Sequence, residues 1–235
     1  MQLKFAGKSD VGKKRANNQD SFIINDRIGL FAVADGMGGH SGGEVASAVA
    51  VKTLEKVFQD KSGDIPAQMM AAVNLCNRTI FEQAEHNPNL HGMGTTLTAM
   101  LISDQWVNIG HVGDSRCYVF RDGQLFQITE DHSHVYELLK AGLISESNAG
   151  MVQKNVITRS VGYEADVQID LMTRPRVSGD RYLICSDGLS GMVSNLEIAR
   201  VLQNFDVPTA VANLIDLANI YGGEDNVSVI LIEIQ

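Results

Sequence analysis

Val227-Ser228-Val229-Ile230-Leu231-Ile232 reads as a β-strand that is apolar on both of its faces. Successive side chains of a strand point to opposite sides, so a strand with one wet face alternates apolar and polar residues. This stretch does not alternate, and both of its faces must therefore be covered, one by a second sheet and the other by helices. Working outward, apolar runs of strand length occur at 3–6, 21–24, 29–34, 95–102, 106–112, 117–121, 125–128, 167–172 and 181–185. Asp122-Gly123 punctuates two of them as a hairpin turn. Helical spacing appears at 42–58, 66–86, 195–203 and 208–220, and Ser41/Glu44 and Ser194/Glu197 have the spacing of capping boxes. Strands and helix pairs are segregated rather than alternating. The pattern predicts an α+β layered sandwich, two mainly antiparallel sheets with helix pairs outside. Nothing resembling a linker or repeat divides the chain, so residues 1–235 are expected to form one domain.

The net charge is −9, from 19 basic and 28 acidic residues, with no basic stripe to neutralise a nucleic-acid backbone. No charged-then-apolar leader opens the chain and no apolar run approaches a membrane span, which predicts a cytoplasmic protein with no membrane partner. Cys76, Cys117 and Cys185 each sit in an apolar run and are expected to be buried free thiols in a reducing compartment.

Five aspartates share one local setting. Asp35, Asp114 and Asp187 follow apolar strands, Asp225 stands at the mouth of the final strand, and Asp20 precedes the strand beginning at Ser21. An aspartate at a strand end is often only a turn former. In a layered sandwich, however, strand ends gather at a rim, and acids crowded there are tolerable only around cations. Oxygen-only ligation selects hard ions such as magnesium or manganese. Glycines beside these acids, in Asp35-Gly36-Met37-Gly38-Gly39-His40 and Asp187-Gly188, let backbone approach a metal or ligand closely. No cysteine or serine stands in a convincing nucleophile context; His111, His132 and His134 read as structural, and Thr95 and Thr96 as sheet residues.

Six segments, in order, resemble the motifs of the type 2C (PPM) metal-dependent serine/threonine protein phosphatases, particularly their short bacterial branch. They are Arg15-Ala16-Asn17-Asn18-Gln19-Asp20, the Asp35–His40 run, Val112-Gly113-Asp114-Ser115-Arg116, Asp131-His132-Ser133, Asp187-Gly188 and Gly222-Gly223-Glu224-Asp225-Asn226. The resemblance implies an α-β-β-α sandwich with a metal site at one rim, holding two magnesium or manganese ions and a weaker third. It implies that Asp35 bridges two metals, with the Gly36 carbonyl on the first and Asp187 and Asp225 on the second. Asp114, with Asp187, would serve the third ion, and Asp20 would orient metal-held water. Arg15 is the implied phosphate-binding residue and His40 the implied general acid. The segment at about 137–166 is similar to the family's variable flap. The implied substrates are phosphoserine and phosphothreonine proteins, and the implied counterpart is a serine/threonine kinase. Intact acids weigh against a catalytically dead scaffold, and Arg15 weighs against the related branch acting on sigma-factor regulators. A plain metal-binding module would leave Arg15 and His40 without a purpose.

Overall fold

The computed structural model describes residues 2–39, 42–59, 63–145, 148, 152 and 156–235. The doubly apolar strand is β11 (Val227–Ile234). It lies inside a five-stranded sheet, antiparallel to both β1 (Leu3–Asp10) and β10 (Arg181–Cys185), and the sheet continues through β7 (Arg116–Arg121) to β8 (Gln124–Gln127). Its two faces enter different cores. Val227, Val229 and Leu231 pack under helices α5 (Asn195–Asn204) and α6 (Val207–Ile220), whereas Ile230, Ile232 and Ile234 face the other sheet. Ile230, Leu231 and Ile232 are fully buried, each gaining about 2–3 kcal/mol from removal of apolar area from water.

The second sheet runs in the order β2 (Asp20–Asn25), β3 (Leu30–Met37), β5 (Leu97–Ile102), β6 (Trp106–Val112) and β9 (Asp170–Pro175), with β4 (Gly94–Thr95) pairing the tip of β3. Its outer face carries α1 (Gly42–Phe58) and α2 (Ile65–His86), and Leu30, Ala32 and Ala34 meet Ala46, Ala50, Leu54 and Phe58 there. Its inner face adds Phe31, Val33, Met100 and Ile109 to the layer shared with β11. The result is the expected α-β-β-α sandwich, with every named strand pairing antiparallel. The α3 (His134–Lys140) and α4 (Asp187–Ser190) helices are short.

Three local expectations are corrected. The strand expected at 95–102 is two strands broken at Thr96, because Thr95 pairs with Val161 while the Thr96 amide turns to the Asp35 carbonyl (2.8 Å). The strand expected at 167–172 runs instead from Asp170 to Pro175, because its register is set by β6, where His111 stands opposite Asp170 and Trp106 opposite Pro175. Asp187 does not sit in a plain turn; it is the first residue of α4, whose backbone closes with Gly191 donating to the Asp187 carbonyl (2.7 Å).

Helix ends follow the side chains available to them. Ser194 and Glu197 form the expected reciprocal capping box at α5. Asp64 accepts from the Ala67 amide to start α2, and Asp206 does the same for α6 from Thr209. Ser41, the expected cap of α1, and His40 lie outside the described residues. Among the described residues, no helix is long and apolar enough to cross a membrane. All three cysteines are buried and unbridged.

Candidate active site

Strand ends from both sheets meet at one rim. In the second sheet, Asp20 and Asp35 stand directly opposite each other on β2 and β3. Asp35 is fixed through its backbone: its amide donates to Thr96 Oγ1 (2.9 Å), and its carbonyl accepts from the Thr96 amide and from Thr95 Oγ1 (2.9 Å). Thr95 and Thr96 are thus more than sheet residues; they hold the central acid. Gly36 follows, its amide donating to the Gln19 carbonyl (3.2 Å), and α1 starts so close that a Cβ on Gly36 would run into the Gly43 carbonyl oxygen. Only glycine permits that approach. Asp114 leaves β6 through Gly113, which has φ +110°. From the first sheet come Asp187, after β10, and Asp225, before β11.

A cleft of about 460 Å³ opens at this rim, lined by Arg15, Asp35, Gly36, Asp114, Asp187 and Asp225 among others, with Val156 and Ile157 on its wall. The sequence therefore anticipated the residues that meet here, with two exceptions. Asp20 is not part of the lining: it lies behind Asp35, where Ser186 Oγ donates to its Oδ2 (2.8 Å) while accepting from the Ser228 amide (2.9 Å). His40 lies outside the described residues. Of the histidines read as structural, His111 and His132 are buried with their rings 4.8 Å apart, whereas His134 is exposed at the start of α3.

Crowded burial dominates the electrostatics. Burial, then the charges of Asp20, Asp187, Asp114 and Asp225, hold the Asp35 carboxyl well above the usual carboxylate range. Burial first and the Asp187 charge second push Asp114 up to about 7, and burial pushes Asp20 up to about 6 against the hydrogen bonds of Ser228 and Ser186. Asp187 is raised by burial and by the charge of Asp225. Arg15 answers part of this charge: its Nη2 donates to Asp225 Oδ2 at 2.7 Å. The Oδ1 atoms of Asp20, Asp114 and Asp187 are buried without a hydrogen-bond partner. Among the described residues, no three acids, histidines or cysteines are drawn together as a closed metal cage. The fit to a cation accordingly rests on donor chemistry: oxygen-only acids in one cleft, two of them, Asp114 and Asp187, with a buried unsatisfied oxygen. Such groups are costly in isolation and suit hard divalent ions.

Besides the two threonines, two further supporting residues escaped the sequence reading. Asn226 accepts from the Gln19 amide (2.8 Å) and donates to the Val11 (2.9 Å) and Asn17 (3.0 Å) carbonyls, so it ties the loop carrying Arg15 to the start of β11. Ser186 is the other, gripping Asp20. Asn226 was visible as the neighbour of Asp225, but its contacts span more than two hundred residues and leave no local signal. Arg116 forms a forked pair with Asp131 (2.6–3.0 Å) and also donates to Tyr118 Oη (3.1 Å), bracing the strand that follows the Asp114 turn.

Solved structures of serine/threonine phosphatases share this fold of two stacked antiparallel sheets flanked by helices. The crystal structure of the Mycobacterium tuberculosis serine/threonine phosphatase PstP/Ppp superposes with a TM-score of 0.94 at 42% identity, covering 99% of each chain. A structure of the PstP catalytic domain in complex with two manganese ions gives 0.92 at 42% identity, again over 99% of each chain. The chain belongs to the protein phosphatase 2C family, whose model matches residues 7–217. It is 44% identical to the serine/threonine protein phosphatase PstP of M. tuberculosis over 99% of this chain, and it spans only 45% of that relative's length. It is 38% identical to the serine/threonine phosphatase stp of Listeria monocytogenes, over 96% of this chain and 94% of the relative.

Proposed function

We propose that this protein is a metal-dependent phosphoprotein phosphatase that hydrolyses phosphoserine and phosphothreonine, acting as one catalytic domain and reversing the work of a serine/threonine kinase in the cytoplasm. The observation that carries the reading is the meeting of Asp35, Asp114, Asp187 and Asp225 with Arg15 in one cleft. Asp35, the Gly36 carbonyl, Asp187 and Asp225 would hold two magnesium or manganese ions, and Asp114 with Asp187 a weaker third. When bound, such a pair supplies an activated water near neutral pH and offsets phosphate charge. The two manganese ions in the PstP complex support that stoichiometry.

The chain's own residues do the rest. The planar guanidinium of Arg15, about half exposed at the cleft edge, can turn its free N–H groups to two phosphate oxygens and so bind and orient the ester. Asp20, held by Ser186 behind Asp35, orients water at the inner side of the site. His40 gives a proton to the departing serine or threonine oxygen, a strongly basic leaving group that needs one. No thiol takes part, because all three are buried.

The test is release of phosphate from a phosphothreonine peptide by protein stripped of metal and then resupplied. Activity is expected to vanish with chelator and return with manganese or magnesium. Full activity in the stripped protein would overturn the metal-dependent reading, and absence of activity in both states would overturn the phosphatase reading.

A further inference from the structure

His132 stands outside the cleft lining yet touches three parts of the molecule that shape it. Its Nδ1 accepts from the Gly113 amide (3.0 Å), and its own amide donates to the Gly113 carbonyl (2.8 Å). Gly113 immediately precedes Asp114. On its other side, Nε2 lies 3.2 Å from Asp170 Oδ2 at the start of β9 and 3.2 Å from Arg159 Nη1, and Asp170 Oδ1 accepts from that same Nη1 (3.2 Å). Its carbonyl accepts from the Thr158 amide (2.9 Å), the His134 amide donates to the Val156 carbonyl (2.9 Å), and Ser133 bridges Ile157. Residues 132–134 and 156–158 therefore run as a miniature antiparallel ladder that carries Val156 and Ile157, the cleft wall.

The donor count fixes the imidazole. A backbone amide can only donate, so Nδ1 must present its lone pair to Gly113, and a neutral ring then carries its proton on Nε2. Of the two groups beside Nε2 only Asp170 can accept that proton, and Arg159 Nη1, a donor only, gives its own N–H to Asp170 Oδ1. A ring protonated on Nδ1 would lose the Gly113 contact. The 95%-buried ring cannot turn to water for substitutes.

We infer that His132 is a positioning residue: its Nδ1 arm fixes the Gly113-Asp114 turn and its Nε2 arm, with its backbone ladder, fixes the Val156–Ile157 wall where the peptide part of a substrate passes. The inference rests on the phosphatase reading and assigns each ring nitrogen a separate task. Asparagine can place an oxygen where Nδ1 stands but cannot reach Asp170, whereas glutamine reaches the Nε2 position and leaves the Gly113 amide without its acceptor. The two variants divide the arms.

Four measurements test it. The ¹⁵N shifts of the wild-type imidazole are expected to report a neutral ring protonated on Nε2; a ring protonated on Nδ1 would overturn the assignment whatever the variants do. In amide exchange, His132→Gln should speed exchange at Gly113 about tenfold and weaken the lower-affinity step of a calorimetric manganese titration several-fold, with KM for phosphopeptide little changed. His132→Asn should keep Gly113 protected and leave the titration unchanged, while raising KM for phosphopeptide about fivefold and leaving KM for a small aryl phosphate as it was. Identical profiles for the two variants would reduce His132 to general packing and sink the division of labour. Wild-type protein inactive on every phosphoester would remove the phosphatase reading instead, while the ring assignment would still stand or fall on its own spectrum.

Discussion

Arg15 Nη2 donates to Asp225 Oδ2 at 2.7 Å, a contact between side chains 210 residues apart. It joins the residue expected to bind phosphate to one expected to bind metal, so the two tasks share a hydrogen bond. Asn226 strengthens the link by tying the Arg15 loop to the same strand start.

Arg15→Ala should therefore raise KM for a phosphothreonine peptide about tenfold or more, because the ground-state phosphate contact is lost, and lower kcat by a smaller factor. Steady-state kinetics with manganese in excess gives both numbers. An unchanged KM would remove Arg15 from the phosphate site.

Replacing a core acid should be far more damaging. Asp35→Asn, Asp187→Asn and Asp225→Asn are each expected to lower kcat about a thousandfold, the upper end of the loss seen when one group stabilising transition-state charge is removed. Asp114→Asn should retain tight binding of two ions and lose only the weaker one. Calorimetry showing that Asp114→Asn abolishes tight binding would make Asp114 a core ligand.

The same acids make the metal-free protein sensitive to pH. Asp114 sits near 7 in the folded state against 3.8 for an ordinary aspartate, so between those values the folded chain holds a proton that the unfolded chain releases. Its contribution is fully present below about pH 4 and is lost as pH rises through about 7. Asp20, Asp35 and Asp187 are raised in the same sense, and His111, pushed down to about 3 by burial, works in the opposite direction below its ordinary 6.5, so a bare melting curve mixes them all. Comparing chelated wild type with Asp114→Asn isolates the acid. The variant should melt higher at pH 8, by about 5 °C, with the gap closing on acidification to pH 4.5. A gap independent of pH would show that charge is not its source.

Much of this arrangement was legible in the sequence, and the boundary has a physical origin. Val227–Ile232 announced a strand covered on both faces, since five of its six residues are apolar where an antiparallel strand with a wet face alternates. Asp35, Asp114, Asp187 and Asp225 were found because each is punctuated by glycine, asparagine or serine at an element boundary. Thr96, Ser186 and Asn226 were not, because a hydroxyl or amide inside a strand or beside an aspartate has no local signature; its meaning lies in a partner brought near by the fold. The 170–175 strand was misplaced for the same reason, its ends being set by pairing with β6 rather than by its own hydrophobicity.

Ser186→Ala offers a test of one such unseen residue. It removes the donor to Asp20 Oδ2 and leaves the Ser228 amide without its acceptor, which should cost about 1–2 kcal/mol of stability. The hydroxyl also helps hold the Asp20 carboxyl down, so its loss should move the acidic limb of the pH–rate profile to higher pH. A profile that keeps its limb would separate Asp20 from the rate.

His40 is tested through the leaving group. A general acid contributes about 10²–10⁴-fold when the departing oxygen is strongly basic and little when it leaves as a stable anion. His40→Gln should slow phosphopeptide hydrolysis far more than aryl phosphate hydrolysis, with manganese affinity unchanged. Equal losses on both substrates would give His40 a task other than proton donation.

The three buried thiols carry a consequence for the setting in which such a protein works. Burial pushes Cys76 and Cys185 up to about 12 and Cys117 higher still, so almost no thiolate exists at neutral pH for peroxide or an alkylating reagent to attack. Phosphatases that use a cysteine nucleophile can be silenced by oxidants through that sulfur. With the proposed chemistry carried by oxygen ligands and the sulfur locked in the hydrophobic layers, phosphate release by this protein is expected to be unaffected by thiol oxidants.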